Sequence, residues 1–252
     1  MKILMLITNR ATLHLLDGEE HPSGFWAEEF AVPYKRFKQE QYDVDIATIG
    51  GIAPTVDQTS IDPGFMRYVR PAGSQNNDSA ESAEYIRTIE SVPALKAPMN
   101  VDTFTKDQVA SYDAVYLSGG HGAIGDMAHS EEMAQLFRWV MAMDKPIAAV
   151  CHGHCGLLNL RDGESKWPFA GYHMTCFSHS EELATNMAGR LPFVLEVEVR
   201  RLGAIYEKGD VIWGSHIVVD RNLVTGQNPH SSRALAEAFI KKLNDVKVQS
   251  KV

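Results

Sequence analysis

Cysteine is scarce in this chain, and its scarcity limits what can hold the fold together. The 252 residues include three cysteines, Cys151, Cys155 and Cys176. An odd and small number in a chain of this length excludes a disulfide framework and indicates a reducing compartment. Each cysteine is therefore a candidate either for packing or for chemistry.

An excess of basic residues and long apolar runs are also missing. The chain has 24 lysines and arginines against 32 aspartates and glutamates, a net charge of −8. This balance argues against a nucleic-acid-binding protein and against a polybasic protein of the membrane surface. No stretch approaches the roughly 18–20 apolar residues of a membrane span, and the apolar run 3–7 is too short for a signal peptide. We predict a cytoplasmic protein that binds neither nucleic acid nor membrane, although a leader cleaved earlier would leave the same N-terminus.

The chain does have short apolar strands that alternate with helical segments. Hydrophobic residues make up 44% of it, which is enough for a large core. Strands that are apolar throughout predict a parallel sheet covered by helices on both faces, with ligands beyond the carboxyl ends of the strands. We predict strands at 2–8, 44–49, 114–117 and 147–150, a hairpin of 211–219 and 222–225, and helices at 23–40, 130–143 and from 231 or 232 to about 243. Pro33 is expected to kink or interrupt the first helix.

Residues 50–107 break this alternation. They have weak periodicity and five prolines, Pro54, Pro63, Pro71, Pro93 and Pro98. An excursion of this length is unusual in a compact domain and more often has a function. We predict one α/β domain over residues 1–252, with 50–107 as an insertion or cap that carries one helix around 82–89.

Cys151 directly follows the predicted strand 147–150 and precedes a helix-like segment. A tight strand-to-helix turn presents its apex side chain above the sheet and needs small residues two positions to either side, where Ala149 and Gly153 stand. A helix start favours an anion, so we expect a lowered pKa and a nucleophilic thiolate. An inert buried cysteine is the alternative. A metal site is disfavoured, because the spacing Cys-His-x-His-Cys crowds all its ligands into one turn.

A glycine-rich segment at 118–126 follows the predicted strand 114–117. Its sequence is Ser-Gly-Gly-His-Gly-Ala-Ile-Gly-Asp. Glycine amides approach a ligand closely and can donate to an oxyanion, and this corner would share a sheet edge with Cys151. The alternative is an ordinary strand-to-loop turn. A phosphate loop is excluded, since no Gly-Lys-Ser/Thr follows.

Five segments of the chain carry a family resemblance. They are GFWAEEFAVP at 24–33, LSGGHGAIGDM at 117–127, AAVCHG at 148–153, TCFSHSEE at 175–182, and VTGQNP at 224–229 with two serines after it. In this order they resemble the DJ-1/PfpI superfamily of class I glutamine-amidotransferase-like proteins, and the first of them is similar to the Hsp31-like subgroup.

The resemblance implies a flavodoxin-like three-layer α/β sandwich with a mainly parallel sheet and a nucleophile elbow at Cys151, and it implies a homodimer. His152 would be the partner of the cysteine. Glu182 would be the acid that orients the histidine, with Glu181 as the neighbouring alternative. The carboxyl that contacts the cysteine would be that of Glu29, and Glu28 would point about a third of a helical turn away.

The resemblance also implies the groups that receive the substrate. The backbone N–H groups of Gly120 and His152 would form an oxyanion hole, and His121, Gly122 and Asn228 would contact the oxyanion or the substrate. We expect no cofactor and no metal.

Two positions depart from the family pattern. His154 stands where the family often has proline, and Cys176 stands where it often has glycine. His173 and His179 lie nearby in the sequence. These differences leave the nucleophile unchanged but put the substrate in question, since extra imidazoles could alter its choice or could simply be surface residues.

The function implied is a glutathione-independent, glyoxalase III-like lyase of the hydro-lyase type. It would convert methylglyoxal or a related 2-oxoaldehyde to a 2-hydroxy acid through a hemithioacetal on Cys151. A buried Glu29 beside a thiolate would keep its proton near neutral pH and could move protons on the substrate. The alternatives are a cysteine-dependent amidase or peptidase, and a stress chaperone or redox sensor with an oxidisable Cys151. A glutamine amidotransferase is not expected, because the chain has no synthetase domain.

Overall fold

The structure, a computed structural model, describes residues 1–160 and 166–249. Its strands are β1 (Lys2–Leu6), β2 (Thr12–His14), β3 (Glu20–Pro22), β4 (Asp43–Thr48), β5 (Met99–Asn100), β6 (Ala114–Leu117), β7 (Ile147–Val150), β8 (His173–Met174), β9 (Ile205–Tyr206), β10 (Ile217–Asp220) and β11 (Leu223–Gly226). Its α-helices are α1 (Ala27–Gln39), α2 (Pro63–Tyr68), α3 (Asp78–Glu90), α4 (Lys106–Ala110), α5 (Gly122–Gly125), α6 (Glu131–Ala142), α7 (His179–Ala184), α8 (Leu195–Arg201) and α9 (Ser232–Gln249).

Seven of these strands form one sheet, in the order β10-β11-β7-β6-β1-β4-β5. Neighbouring strands run parallel, except that β10 pairs antiparallel with β11. The short strands β2 and β3 form a separate pair, as do β8 and β9. The prediction of a mainly parallel α/β sheet is confirmed.

Helices cover both faces of this sheet, because its central strands bury alternate residues on opposite sides. On β1, Ile3 and Met5 belong to the core beneath α1, α3 and α9, whereas Leu4 and Leu6 belong to the core beneath α4 and α6. The result is a three-layer sandwich of the flavodoxin-like kind.

Helix α1 runs without interruption through Pro33, so of the two expected effects, a kink or an interruption, the interruption does not occur. Proline has no N–H to donate to the carbonyl of Glu29 four residues earlier. The hydroxyl of Tyr116 on β6 donates to that carbonyl instead, at 2.8 Å. A tertiary contact therefore replaces the missing helical hydrogen bond.

The segment 50–107 contacts the rest of the molecule at several places. The helix predicted around 82–89 is α3, which packs on α1, and β5 extends the sheet beyond β4. An isolated parallel bridge joins Phe25 to Val56, just before α1. The predicted domain 1–252 includes residues 161–165 and 250–252, which lie outside the described residues. Among the described helices, none combines the length and hydropathy needed to cross a membrane.

Candidate active site

Cys151 lies at the turn between β7 and a 3-10 helix, Cys151–Leu157. Its φ of +53° falls in the left-handed region, which a non-glycine residue rarely adopts. A Cβ atom on Gly153 would come within 2.6 Å of the Leu117 carbonyl oxygen, so the backbone here requires glycine. The strained turn therefore presents the Cys151 side chain at the carboxyl edge of the sheet, in the manner of a nucleophile elbow.

Cys151, His152 and Glu182 lie in a chain of short contacts. The Sγ atom of Cys151 is 3.4 Å from His152 Nδ1, and His152 Nε2 is 2.9 Å from Glu182 Oε2. An ionised carboxylate accepts hydrogen bonds only, so Glu182 fixes the imidazole proton on Nε2. The lone pair on Nδ1 then faces the thiol, which orients neutral His152 as a base.

A second histidine shares the same carboxylate. His121 Nε2 lies 2.7 Å from Glu182 Oε1, and the rings of His121 and His152 are 4.3 Å apart between their centroids. Burial opposes a charge on either ring. For His121 the attraction of Glu182 outweighs burial and raises its pKa, whereas burial and the nearby His121 charge lower the pKa of His152. Burial would raise the pKa of Glu182, but the two histidines together hold it well below its ordinary value.

These three side chains also have the composition of a metal site. The candidate ligand atoms of His121, His152 and Glu182 all lie within 4.8 Å of one another. In the structure both histidines hydrogen-bond to Glu182 through Nε2, one to each carboxylate oxygen.

Glu29, in the first turn of α1, is fully buried beside Cys151. Burial raises its pKa well above the ordinary value, and interactions with the Cys151 thiol and the Gly119 N–H offset only part of this. Neither carboxyl oxygen makes a well-aligned hydrogen bond to a described residue. The group is therefore held as a neutral acid in contact with the nucleophile.

The expectation of a lowered thiol pKa is wrong. Burial raises the pKa of Cys151 well above its ordinary value, and the neighbouring Glu29 raises it further, while the His152 N–H lowers it only in part. Desolvation of the sulfur outweighs the start of a short 3-10 helix. Cys151 and Glu29 consequently both keep their protons in the resting site.

The residues of both predicted oxyanion donors line the pocket together with Cys151. Gly120 has a φ of +114°, and a Cβ atom there would come within 2.4 Å of the Gly24 carbonyl oxygen. Gly120 lines the pocket, and its N–H has no hydrogen-bond partner among the described residues. The N–H of His152 is directed at the Cys151 sulfur. The pocket residues thus offer two backbone donors, of which the His152 N–H is in contact with the thiol.

The structure does not bring Gly122 and Asn228 into this pocket. The Gly122 N–H donates to the Gly24 carbonyl at 3.4 Å. The Asn228 amide donates to Glu181 Oε1 at 2.7 Å and to the Gly214 carbonyl at 2.8 Å, which uses both of its hydrogens. Of the two neighbouring glutamates, Glu181 therefore accepts a hydrogen bond from Asn228, and Glu182 is the one that contacts His152.

Glu28 and His154 have partners other than the Cys151 sulfur. Glu28 lies 3.5 Å from His230 Nδ1. His154 donates from Nδ1 to the Cys151 carbonyl at 2.8 Å, and burial lowers the pKa of its imidazole to about 4. The remaining candidates are Cys155 and Cys176, which are buried in the core, and His173 and His179, which are exposed.

A pocket of about 610 Å³, counted up to its open mouth, extends over Cys151. Its polar lining includes His121 and His152, with His21, Asp57, Thr59 and Thr185. Its apolar lining consists of Trp26, Phe65, Val69, Phe177, Met187, Trp213 and Pro229. Sequence motifs identified the reactive end but missed most of this wall, part of which comes from the segment 50–107. The one available signal was the unusual length of that segment.

Comparisons with known proteins give this site a context. The model of the DJ-1/PfpI family matches residues 22–242. The protein/nucleic acid deglycase HchA of Pseudomonas aeruginosa strain UCBPP-PA14 is 28% identical over 96% of this chain and 80% of that protein. The protein of the same name from Staphylococcus aureus strain Newman is 24% identical, again over 96% of this chain and 80% of that protein.

Solved structures agree with the fold. One structure that is 34% identical superimposes with a TM-score of 0.77 over 97% of this chain and 98% of the other. Glyoxalase III from Candida albicans is 23% identical and superimposes with a TM-score of 0.74 over 96% of each chain. At that identity the second likeness speaks for the fold alone.

Proposed function

The chain belongs to the DJ-1/PfpI family, and we propose that it is a glutathione-independent glyoxalase that converts methylglyoxal or a related 2-oxoaldehyde to a 2-hydroxy acid. The observation that carries the proposal is one buried thiol between a neutral imidazole and a neutral carboxylic acid. His152 Nδ1 lies 3.4 Å from the sulfur, and Glu29 contacts it from α1. The curated relatives are named protein/nucleic acid deglycases, which supports chemistry on glycation adducts.

The first step forms a hemithioacetal. The sulfur of Cys151 attacks the aldehyde carbon C1 while its proton passes to His152 Nδ1. The C1 oxygen develops negative charge and accepts hydrogen bonds from the backbone N–H groups of Gly120 and His152. It then takes the proton of Glu29. Glu29 is then a carboxylate next to the C1 hydrogen, and His152 is an imidazolium.

The second step moves hydrogen from C1 to C2 through an enediol. The Glu29 carboxylate removes the C1 proton while His152 protonates the C2 oxygen. Glu29 then returns its proton to C2, and His152 takes the proton of the C1 hydroxyl, which leaves a thioester on Cys151. Water attacks C1 and gives a proton to Glu29, and the departing sulfur regains its proton from His152. The product is the 2-hydroxy acid, and the resting protonation states are restored.

The test compares two neighbouring glutamates of α1. In Glu29→Gln the carboxyl that shuttles the proton is lost, and we expect kcat for methylglyoxal to fall roughly 10²–10⁴-fold. Glu28→Gln is the matched control and should stay close to wild type, because Glu28 faces His230. Lactate is measured enzymatically without glutathione. Equal loss in both variants, or no lactate from the wild type, would refute the proposal.

A deglycase activity is the second candidate, and the name of the curated relatives favours it. The same thiol could displace the amine or thiol from the C1 carbon of a hemiaminal or hemithioacetal adduct. His152 would take the Cys151 proton and give it to the leaving nitrogen or sulfur, so that the free amine or thiol departs and the Cys151 hemithioacetal forms. Release of free cysteine from its methylglyoxal adduct, faster than the adduct dissociates alone, would support it. The name of these relatives includes nucleic acid. The comparisons therefore give no support to the expectation that this protein does not bind nucleic acid.

The hydrolase alternative and the homodimer stay predictions. A Cys-His-Glu arrangement also suits acyl transfer. An amidase or esterase would accumulate an acyl group on Cys151 when it is mixed with small amides or esters, which intact-mass measurement detects.

A further inference from the structure

The pocket over Cys151 has an aromatic wall as well as its polar groups. This wall includes Trp26 and Phe65, whose ring centroids are 6.1 Å apart. It also includes Phe177 and Trp213, whose ring centroids are 5.8 Å apart. Four aromatic side chains thus line the same pocket as Cys151. The single methyl group of methylglyoxal is too small to contact all of them.

Trp213 occupies its place in this wall at the expense of backbone strain. Its φ is +63°, and a bulky residue in the left-handed region is a true outlier. The side chain is almost completely buried. Strain of this kind persists only where the surroundings enforce it, and it concentrates at functional sites.

A buried carboxylate enforces the Trp213 conformation. Glu181 accepts the Trp213 N–H on Oε1 at 3.2 Å. The same carboxylate accepts the side-chain amides of Gln227 at 3.0 Å and Asn228 at 2.7 Å, and the hydroxyl of Ser178 at 2.6 Å. All members are buried, so the network holds one geometry. It fixes the indole ring at the wall of the pocket.

We infer that the substrate is a 2-oxoaldehyde that carries an apolar, ring-sized group, and that Trp213 is a specificity-determining residue for it. The inference rests on the proposed function, since the thiol must receive the aldehyde. With the aldehyde carbon at Cys151, a ring on C2 extends toward Trp213 and Phe65, where aromatic contacts stabilise it beyond simple burial. The methyl group of methylglyoxal leaves that space unfilled.

The first experiment compares phenylglyoxal with methylglyoxal. The ratio of their kcat/KM values is measured for wild type, Trp213→Ala and Trp213→Phe. We expect the ratio to fall roughly tenfold in Trp213→Ala and to be largely retained in Trp213→Phe, which keeps a ring. Trp139→Ala is the matched control, since Trp139 packs on the opposite face of the sheet. If the ratio were unchanged in Trp213→Ala, the inference about Trp213 would be overturned. The proposed function would still stand in that case, provided that the wild type consumes methylglyoxal.

A binding experiment covers the case in which turnover or folding fails. Calorimetry compares mandelate with lactate, the two corresponding products, on the wild-type protein. The half-buried Phe65 offers a second variant, Phe65→Ala, that leaves the Glu181 network intact. We expect mandelate to bind the wild type more tightly and to lose that advantage in Phe65→Ala. Mandelate binding no tighter than lactate would overturn the inference even if neither aldehyde were consumed.

Discussion

Two histidines compete for one buried carboxylate at the centre of the site. Glu182 lies within 3 Å of both His121 and His152, yet their pKa values shift in opposite directions. Because the rings are 4.3 Å apart, a charge on one disfavours a charge on the other. The raised pKa of His121 and the lowered pKa of His152 favour the proton on His121 and the neutral form of His152, which is the form that can act as a base. Motif reasoning marked both residues but could not assign these states, since they depend on burial and distance.

Removing His121 should shift the pH profile. In His121→Gln the competing positive charge is gone, and Glu182 acts electrostatically on His152 alone, so the pKa of His152 rises. Since neutral His152 takes the thiol proton, the acid limb of kcat/KM for methylglyoxal should move to higher pH. The control is His179→Gln, which alters an exposed histidine. An unmoved acid limb in His121→Gln would contradict this assignment.

Buried His154 should make the protein less stable in mild acid. Its pKa is lowered to about 4 from 6.5, so between these pH values the unfolded chain binds a proton that the folded chain excludes. Stability therefore falls as pH drops through this window, by up to about 1.4 kcal/mol per pH unit.

In His154→Gln this contribution disappears, while an amide N–H is still available for the Cys151 carbonyl. The free energy of unfolding, measured with urea at several pH values, should depend less steeply on pH between 6.5 and 4. An unchanged slope would show that His154 is not the group responsible.

At the scale of elements, the strands of the sheet were the most predictable parts. The all-apolar runs at β6 and β7 have the predicted bounds, because a strand buried on both faces leaves an unmistakable pattern. The hairpin strand predicted at 211–219 begins only at Ile217, since Trp213 adopts a left-handed conformation that ends an extended run. Sequence could not reveal that conformation, because distant Glu181 enforces it.

Helix α1 offers a double-mutant test of how Glu29 is held. Tyr116→Phe leaves the buried Glu29 carbonyl without a donor and should cost about 1–3 kcal/mol of unfolding free energy. Pro33→Ala restores a backbone N–H four residues after Glu29. The cost of Tyr116→Phe should therefore be smaller in the Pro33→Ala background, as urea unfolding measures. Strictly additive effects of the two substitutions would contradict the contact.

At the scale of the whole molecule, the site combines segments that are far apart in the sequence. The grouping of Cys151, His152 and Glu182 could be predicted because they lie in recognisable motifs, and Glu29, which contacts Cys151, lies in a further segment with its own signature. The pocket wall could not be predicted from the sequence, because Phe65 and Trp213 follow no periodic pattern. Only folding brings them together. Asn228 shows the converse, since its motif was recognised but its side chain supports Glu181 instead of the substrate.

If the Cys151 thiol carries the reaction, its removal should abolish lactate formation. Lactate formation from methylglyoxal, without glutathione, is compared for wild type, Cys151→Ala and Cys155→Ala. Cys155 is also buried, lies four residues away and belongs to the core, so its variant controls for the loss of a thiol. We predict that Cys151→Ala lowers kcat/KM by roughly 10³-fold or more, while Cys155→Ala stays near wild type. Undiminished lactate formation by Cys151→Ala would contradict the account.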